Sequence, residues 1–195
     1  AMNNLGIYYL KIKKNSDLMK KYLLMAIEKD SCNAMFSLGS YYQYIEKNYN
    51  LMKKYYLMAI EKGFSEAMYD LGKYYETIEE NDRFMEKYYL MAIEKGHSEA
   101  MYHLGKYYET VENDRLMEKY YLMAINHKCT LPIENLKKYY DDHNNTLGLT
   151  NLYLMTNNKT KPNQLSVENS TMHLENKYYS RIENSEYYAI KKKVL

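Results

Sequence analysis

The chain has 195 residues, is 46% hydrophobic, and carries 27 basic against 25 acidic side chains for a formal net charge of +2. With 2 prolines and 7 glycines it is neither collagen-like nor mucin-like, and it lacks the turn density of a β-rich domain. Its Lys and Glu residues are interspersed, as on solvated helix faces; the basic run Lys191-Lys192-Lys193 sits at the extreme end and is not the segregated stripe of a nucleic-acid binder.

Much of the apolar share is Tyr (26) and Met (14), and Trp is absent. Tyrosine packs its ring and keeps its hydroxyl wet, which suits a structure rich in surface. Internal repetition is the strongest signal. Leu5, Leu38, Leu71, Leu104 and Leu136 recur in steps of 33, 33, 33 and 32. Gly6, Gly39, Gly72 and Gly105 follow them, with Lys137 in the fifth copy. Tyrosine pairs come next, from Tyr8-Tyr9 to Tyr139-Tyr140. The shorter step is a loop deletion, in which Glu79-Glu80-Asn81-Asp82 becomes Glu112-Asn113-Asp114.

Each unit reads as two helices. In the third unit the spacing predicts a first helix over 66–77, with Ala67, Leu71 and Tyr75 on one apolar stripe and Met68 and Ile78 beside them. Ser31, Ser65, Ser98 and Thr130 are the candidate N-caps of such helices, and Pro132 falls in the first turn of the fifth. Gly72 costs a helix interior about 1 kcal/mol against Ala, so its recurrence points to close approach of a neighbouring helix. A second helix follows over 83–95, capped by Asn81 or Asp82, with Asn113 or Asp114 in the next unit. Met85, Tyr89, Ala92 and Ile93 form its inward stripe, and Tyr88 and Met91 a second one facing the next unit. Gly63 and Gly96 end these helices, where a left-handed residue is needed. Leu152-Tyr153-Leu154-Met155 repeats Tyr120-Tyr121-Leu122-Met123, placing the fifth unit's second helix near 147–157. We therefore expect five tandem helix pairs over 1–158, then a linker with Pro162 and degenerate capping helices over 159–195.

The string from Lys87 to Glu109, with Tyr89, Ala92, Gly96, Ala100, Leu104-Gly105 and Tyr108, resembles the Sel-one-like repeat, a relative of the tetratricopeptide repeat. The resemblance covers roughly 1–157 well. It implies an all-α fold, an α-solenoid winding as a right-handed superhelix of about six antiparallel helix pairs. It also implies a protein–protein interaction scaffold or adaptor. The family's glycine-rich inter-helix loop is shortened here to Glu79-Glu80-Asn81-Asp82, so superhelix pitch does not carry over. The bias toward Asn, Ile, Lys, Met and Tyr is similar to that of repeat proteins from large DNA viruses of amoebae. Cysteine-rich members of the family are linked to β-lactamase activity, but their within-repeat cysteine pairs are missing here.

Catalytic and metal-binding constellations are not found. His97 and His103 are six apart, and the His127-x-Cys129 pair lacks a zinc-type partner set, so the histidines read as exposed loop residues. Glu79-Glu80 and Asp141-Asp142 read as solvated loop charges. No phosphate loop, nucleophile elbow or His-Glu-x-x-His is present. The expectation is a non-enzyme without metal or cofactor. Cys32 and Cys129 read as reduced thiols without a disulfide, pointing to an intracellular, cytoplasmic location, in the host cytoplasm if the chain is viral. No apolar run reaches the roughly 18–20 residues of a membrane span, and no signal peptide is visible.

The partner is expected to be a protein or peptide on the concave face, lined by the first helices. Opposite the core stripe these helices carry Glu66, Tyr69, Lys73 and Glu76, then Glu99, Tyr102, Lys106 and Glu109, with Phe36 and Gln43 in the preceding unit. Tyr69 and Tyr102 are read there as exposed aromatics flanked by alternating charge. Leu57, Leu90 and Leu122 offer an alternative, outer surface. The rival reading is a helical-repeat binder of single-stranded RNA stacking bases on the tyrosines; it needs a basic groove, and the balanced Glu/Lys pattern speaks against it.

Overall fold

A computed structural model describes residues 2–157 of the chain. Among these, ten α-helices and no strand are found: α1 (Met2–Lys11), α2 (Ser16–Ile27), α3 (Cys32–Tyr44), α4 (Tyr49–Glu61), α5 (Ser65–Thr77), α6 (Asp82–Glu94), α7 (Ser98–Thr110), α8 (Asp114–Asn126), α9 (Ile133–Asp142) and α10 (Thr146–Thr156). Consecutive helices pack as pairs, and the second helix of each pair packs on the first of the next, which makes an α-solenoid. The expected linker and sixth pair lie outside the described residues.

The turns explain why the chain breaks where it does. Every first helix is followed by a left-handed residue, at Lys14, Lys47, Glu80, Glu112 and Asn144. An asparagine N-cap comes next in each unit. The side chains of Asn15, Asn48, Asn81, Asn113 and Asn145 accept from the backbone N–H three residues on, at 2.8–3.2 Å. The turns between units end the second helices with Gly63 (φ 77°) and Gly96 (φ 79°), the conformation glycine adopts without steric cost. Asp30 and Lys128 hold the same left-handed place elsewhere.

The first-helix caps differ from the sequence reading. Ser31 caps α3 by accepting from Ala34 N–H. The equivalent place, 33 residues on, is one position earlier than the sequence reading put it. Phe64 and His97 stand at the N-caps of α5 and α7, and Ser65 and Ser98 are their first helical residues. Pro132, not Thr130, precedes α9, without a side-chain cap. Ser, Phe and His are too dissimilar for the equivalence to be visible in one sequence.

The core is a stack of small and aromatic residues. Ala67, Met68, Leu71 and Tyr75 of α5 are buried, as are Met85, Tyr89, Ala92 and Ile93 of α6. Ile78 lies past the end of α5 and is 52% exposed, so it does not belong to the stripe. Each helical glycine has a definite occupant opposite it. A Cβ built on Gly39, Gly72 or Gly105 would stand 2.5–2.7 Å from Cδ1 of Tyr56, Tyr89 or Tyr121 in the partner helix. These three rings are completely buried. In the fifth pair Lys137 replaces the glycine, and the equivalent Tyr153 is 59% exposed. There the arrangement is inverted: Gly148 of α10 receives the ring of Tyr140 from α9. A second tyrosine pair stacks in parallel within four units, Tyr9 on Tyr22, Tyr42 on Tyr55, Tyr75 on Tyr88 and Tyr108 on Tyr120, at 5.3–5.7 Å.

Cys32 and Cys129 are free thiols. Among the described residues no helix is long and apolar enough to cross a membrane.

Candidate first-helix interaction face

The rings that fill the glycine notches are long enough for their hydroxyls to emerge on the first-helix face. Tyr56 donates to Gln43 Oε1 at 2.7 Å, Tyr89 to Glu76 Oε2 at 2.6 Å and Tyr121 to Glu109 Oε2 at 2.7 Å. Each acceptor also meets a side chain from the next unit or shares its donor with one. Tyr56 also reaches Asp70 Oδ2 at 3.3 Å, His103 Nδ1 approaches Glu76 Oε2 to 3.3 Å, and Asn135 Nδ2 donates to Glu109 Oε2 at 3.3 Å. A polar seam thus runs across the junctions between units. It ties the hydroxyl ends of buried rings to the first helices.

This seam corrects the sequence reading of Gln43, Glu76 and Glu109. They hold the face together and are not simply free contact groups. Burial acts on Glu76 to raise its pKa, but the contacts with His103 and the Tyr89 hydroxyl outweigh it, leaving the carboxyl below its ordinary value. For Asp70, burial dominates and lifts the carboxyl above the usual range, against the opposing bond from Tyr56.

Phe36, Tyr69 and Tyr102 occupy equivalent places on α3, α5 and α7, and all three are half-buried. Phe36 packs on Tyr56 (5.7 Å) and Phe64 (5.2 Å), Tyr69 on Tyr89 (6.0 Å), and Tyr102 on Tyr121 (5.9 Å). Tyr69 and Tyr102 are therefore not freestanding aromatics: each lies with one side on the ring that fills the notch below. Glu66, Lys73, Glu99 and Lys106 are exposed, as expected.

The two histidines were read as loop residues, and both in fact flank Tyr69 of the preceding unit. His97 stacks on it at 4.5 Å, and His103, within α7, meets it edge-on at 5.6 Å with Nε2 3.2 Å from the hydroxyl. Six positions apart in the sequence, the two do not share one helical turn. They converge instead through a third residue one repeat away. His97 also accepts the Ala100 N–H at Nδ1, and burial pushes its pKa below the ordinary histidine value.

Glu79, read as a solvated charge, is also structural: it pairs with Lys53 and accepts from the Tyr74 hydroxyl at 2.7 Å. On the other side of the solenoid, Leu57 is buried and Leu90 and Leu122 are half-buried, so the alternative outer surface is only partly available. Among the described residues no group of three or more His, Cys, Asp or Glu side chains is placed to hold a metal ion.

The helix pairs and their stacking define a repeat solenoid. The chain is similar to the crystal structure of a Sel1 repeat protein from Oxalobacter formigenes, with a TM-score of 0.58 and 24% sequence identity. The match covers 72% of this chain and 62% of that one, so the chain spans about three fifths of its length. At that identity the likeness shows the Sel1-repeat fold. No family model and no curated protein matches the chain.

Proposed function

We propose that the protein is a non-enzymatic interaction scaffold that binds a partner peptide or protein on the face formed by its first helices. The observation that carries this reading is the repetition of one pattern on α3, α5 and α7. Phe36, Tyr69 and Tyr102 present half-open rings, each set at the same register by the buried ring beneath it. Glu66, Lys73, Glu99 and Lys106 stand exposed around the two tyrosines. Pre-positioned aromatic rings with a charged rim offer area at low entropic cost and fix the register of a bound segment. The residues singled out from the sequence divide accordingly: Phe36, Tyr69 and Tyr102 form the floor, Glu66, Lys73, Glu99 and Lys106 the rim, and Gln43, Glu76 and Glu109 the internal supports. The resemblance to Sel-one-like repeats supports the same class of function, and an intracellular site of action fits the free thiols.

The test uses a partner purified with the full chain as bait. Replacing Glu66, Lys73, Glu99 and Lys106 together by Ala is expected to weaken binding more than tenfold, or about 1.4 kcal/mol. Replacing the exposed second-helix residues Lys21, Asn50 and Arg115 by Ala is expected to leave it within twofold. Equal losses in the two variants overturn the assignment of the face.

A further inference from the structure

Charge is distributed unevenly along the first-helix face. On α3 the outward positions are Asn33, Ser37, Ser40 and Gln43, with no charge among them. On α5 they are Glu66, Asp70, Lys73 and Glu76, three carboxylates against one ammonium. On α7 they are Glu99, His103, Lys106 and Glu109, two carboxylates against one ammonium. The chain as a whole carries +2, so this negative stretch is local.

Asp70 is its focus. Among the described residues no Lys, Arg or His nitrogen lies within ion-pair distance of its carboxylate, and its hydrogen bond comes from the Tyr56 hydroxyl at 3.3 Å. Of the surrounding charges, Lys73 favours its ionised form from beyond ion-pair distance, and Glu99 and Glu66 oppose it. Nearby Tyr44 is 57% exposed; burial, and after it the charge of Asp70, raises the pKa of its hydroxyl. A largely desolvated carboxylate without an ion-paired cation is costly on its own, and beside an exposed tyrosine ring it matches the two needs of a guanidinium or ammonium group: a counter-charge and a π-face.

From this we infer that the segment bound on the first-helix face is basic over α5 and α7 and uncharged over α3, with an arginine or lysine side chain seated against Asp70 on the side of Tyr44. The inference rests on the proposed function and adds the chemistry of the partner. The negative charge is confined to α5 and α7, because the equivalent positions of α9, Asn135, Lys138 and Asp141, balance to zero.

The experiment measures fluorescence anisotropy of labelled nona-arginine, nona-glutamate and an uncharged Gly-Ser peptide with the full chain at physiological salt. Nona-arginine is expected to bind and the other two not. The pair Glu66→Gln with Glu99→Gln, and separately Asp70→Asn, are expected to weaken it at least tenfold. The pair Glu28→Gln with Glu94→Gln, which removes the same charge from exposed second-helix ends, is expected to change it less than twofold. Asp70→Asn keeps an acceptor for Tyr56, and circular dichroism is expected to show unchanged helix content in all variants. Equal losses in the two glutamate pairs, or tighter binding of nona-glutamate, overturn the basic partner. The alanine rim variant on the purified partner separates the two levels. If that partner is lost while nona-arginine ignores the face, only this inference fails. If neither responds, the reading of the face fails as well.

Discussion

A Cβ on Gly72 would stand 2.7 Å from Cδ1 of Tyr89, a ring with no exposed surface whose hydroxyl is held by Glu76 of the same helix as the glycine. The notch and the hydrogen bond work together. The missing side chain lets the ring cross between the helices, and the bond fixes where it emerges.

Gly72→Ala is therefore expected to destabilise the protein. Helix propensity alone favours Ala by about 1 kcal/mol. Overpacking a ring that cannot retreat costs about 1–3 kcal/mol, so the net change is a loss. Thermal melting is expected to show a lower Tm for Gly72→Ala, whereas Lys73→Ala, one step round the helix and exposed, stays within about 0.5 kcal/mol of the parent. A Gly72→Ala variant more stable than the parent would mean that the ring has room to move.

Lys128 holds a left-handed backbone (φ 65°) where Gly63 and Gly96 stand in other units. Lys128→Gly is expected to stabilise by about 0.5–1 kcal/mol, because relief of the Cβ clash exceeds the added backbone freedom of the unfolded chain. Asp30→Gly gains less, since Asp tolerates this region better. Denaturant midpoints check both.

Loop length and helix charge change together along the chain. Lys20 and Lys53 pair with Glu46 and Glu79, which precede the left-handed residues Lys47 and Glu80. The one-residue deletion removes that glutamate from the fourth unit, and Glu86, at the place of Lys53, accepts the Tyr108 hydroxyl directly. Glu118 does the same for Tyr140 at 2.5 Å. Glu86→Lys is expected to cost about 1–2 kcal/mol by replacing the acceptor of the Tyr108 hydroxyl with an ammonium. Inserting Glu between Val111 and Glu112 in that variant is expected to recover most of the loss. Additive effects in the denaturation cycle would show that the two changes are independent.

His97 caps α7 through a neutral Nδ1, and burial keeps its folded-state pKa below the ordinary value near 6.5. Its contribution to stability is complete above about pH 6.5 and is lost as the pH falls from there through the lowered folded value. The Tm is expected to decline over this window in the parent. The decline is expected to be smaller in His97→Ser, which installs the residue that caps α3 in the equivalent place. Identical pH profiles would remove His97 as the cause.

The periodic features were legible in the sequence because they recur. The 33-residue step, the buried stripes of α5 and α6 and the closing glycines all repeat at fixed register, while the second-helix caps were narrowed only to Asn81 or Asp82 and Asn113 or Asp114. What was missed is contact between helices, within a unit and between units. Glu76 looked like a rim charge because its donor, Tyr89, lies on another helix, and the neighbouring His103 lies on a third. His97 and His103 looked unrelated because their common partner is Tyr69, one repeat earlier. Side chains that meet across a junction leave no local spacing to read.

The most direct test of the account is hydroxyl-radical footprinting of the full chain with and without its purified partner. The account predicts reduced oxidation at Tyr44, Tyr69 and Tyr102 on the first helices, with Leu24, Leu90 and Leu122 on the second helices unchanged. Protection of Leu24, Leu90 and Leu122, with the three tyrosines as reactive as in the free protein, would contradict it.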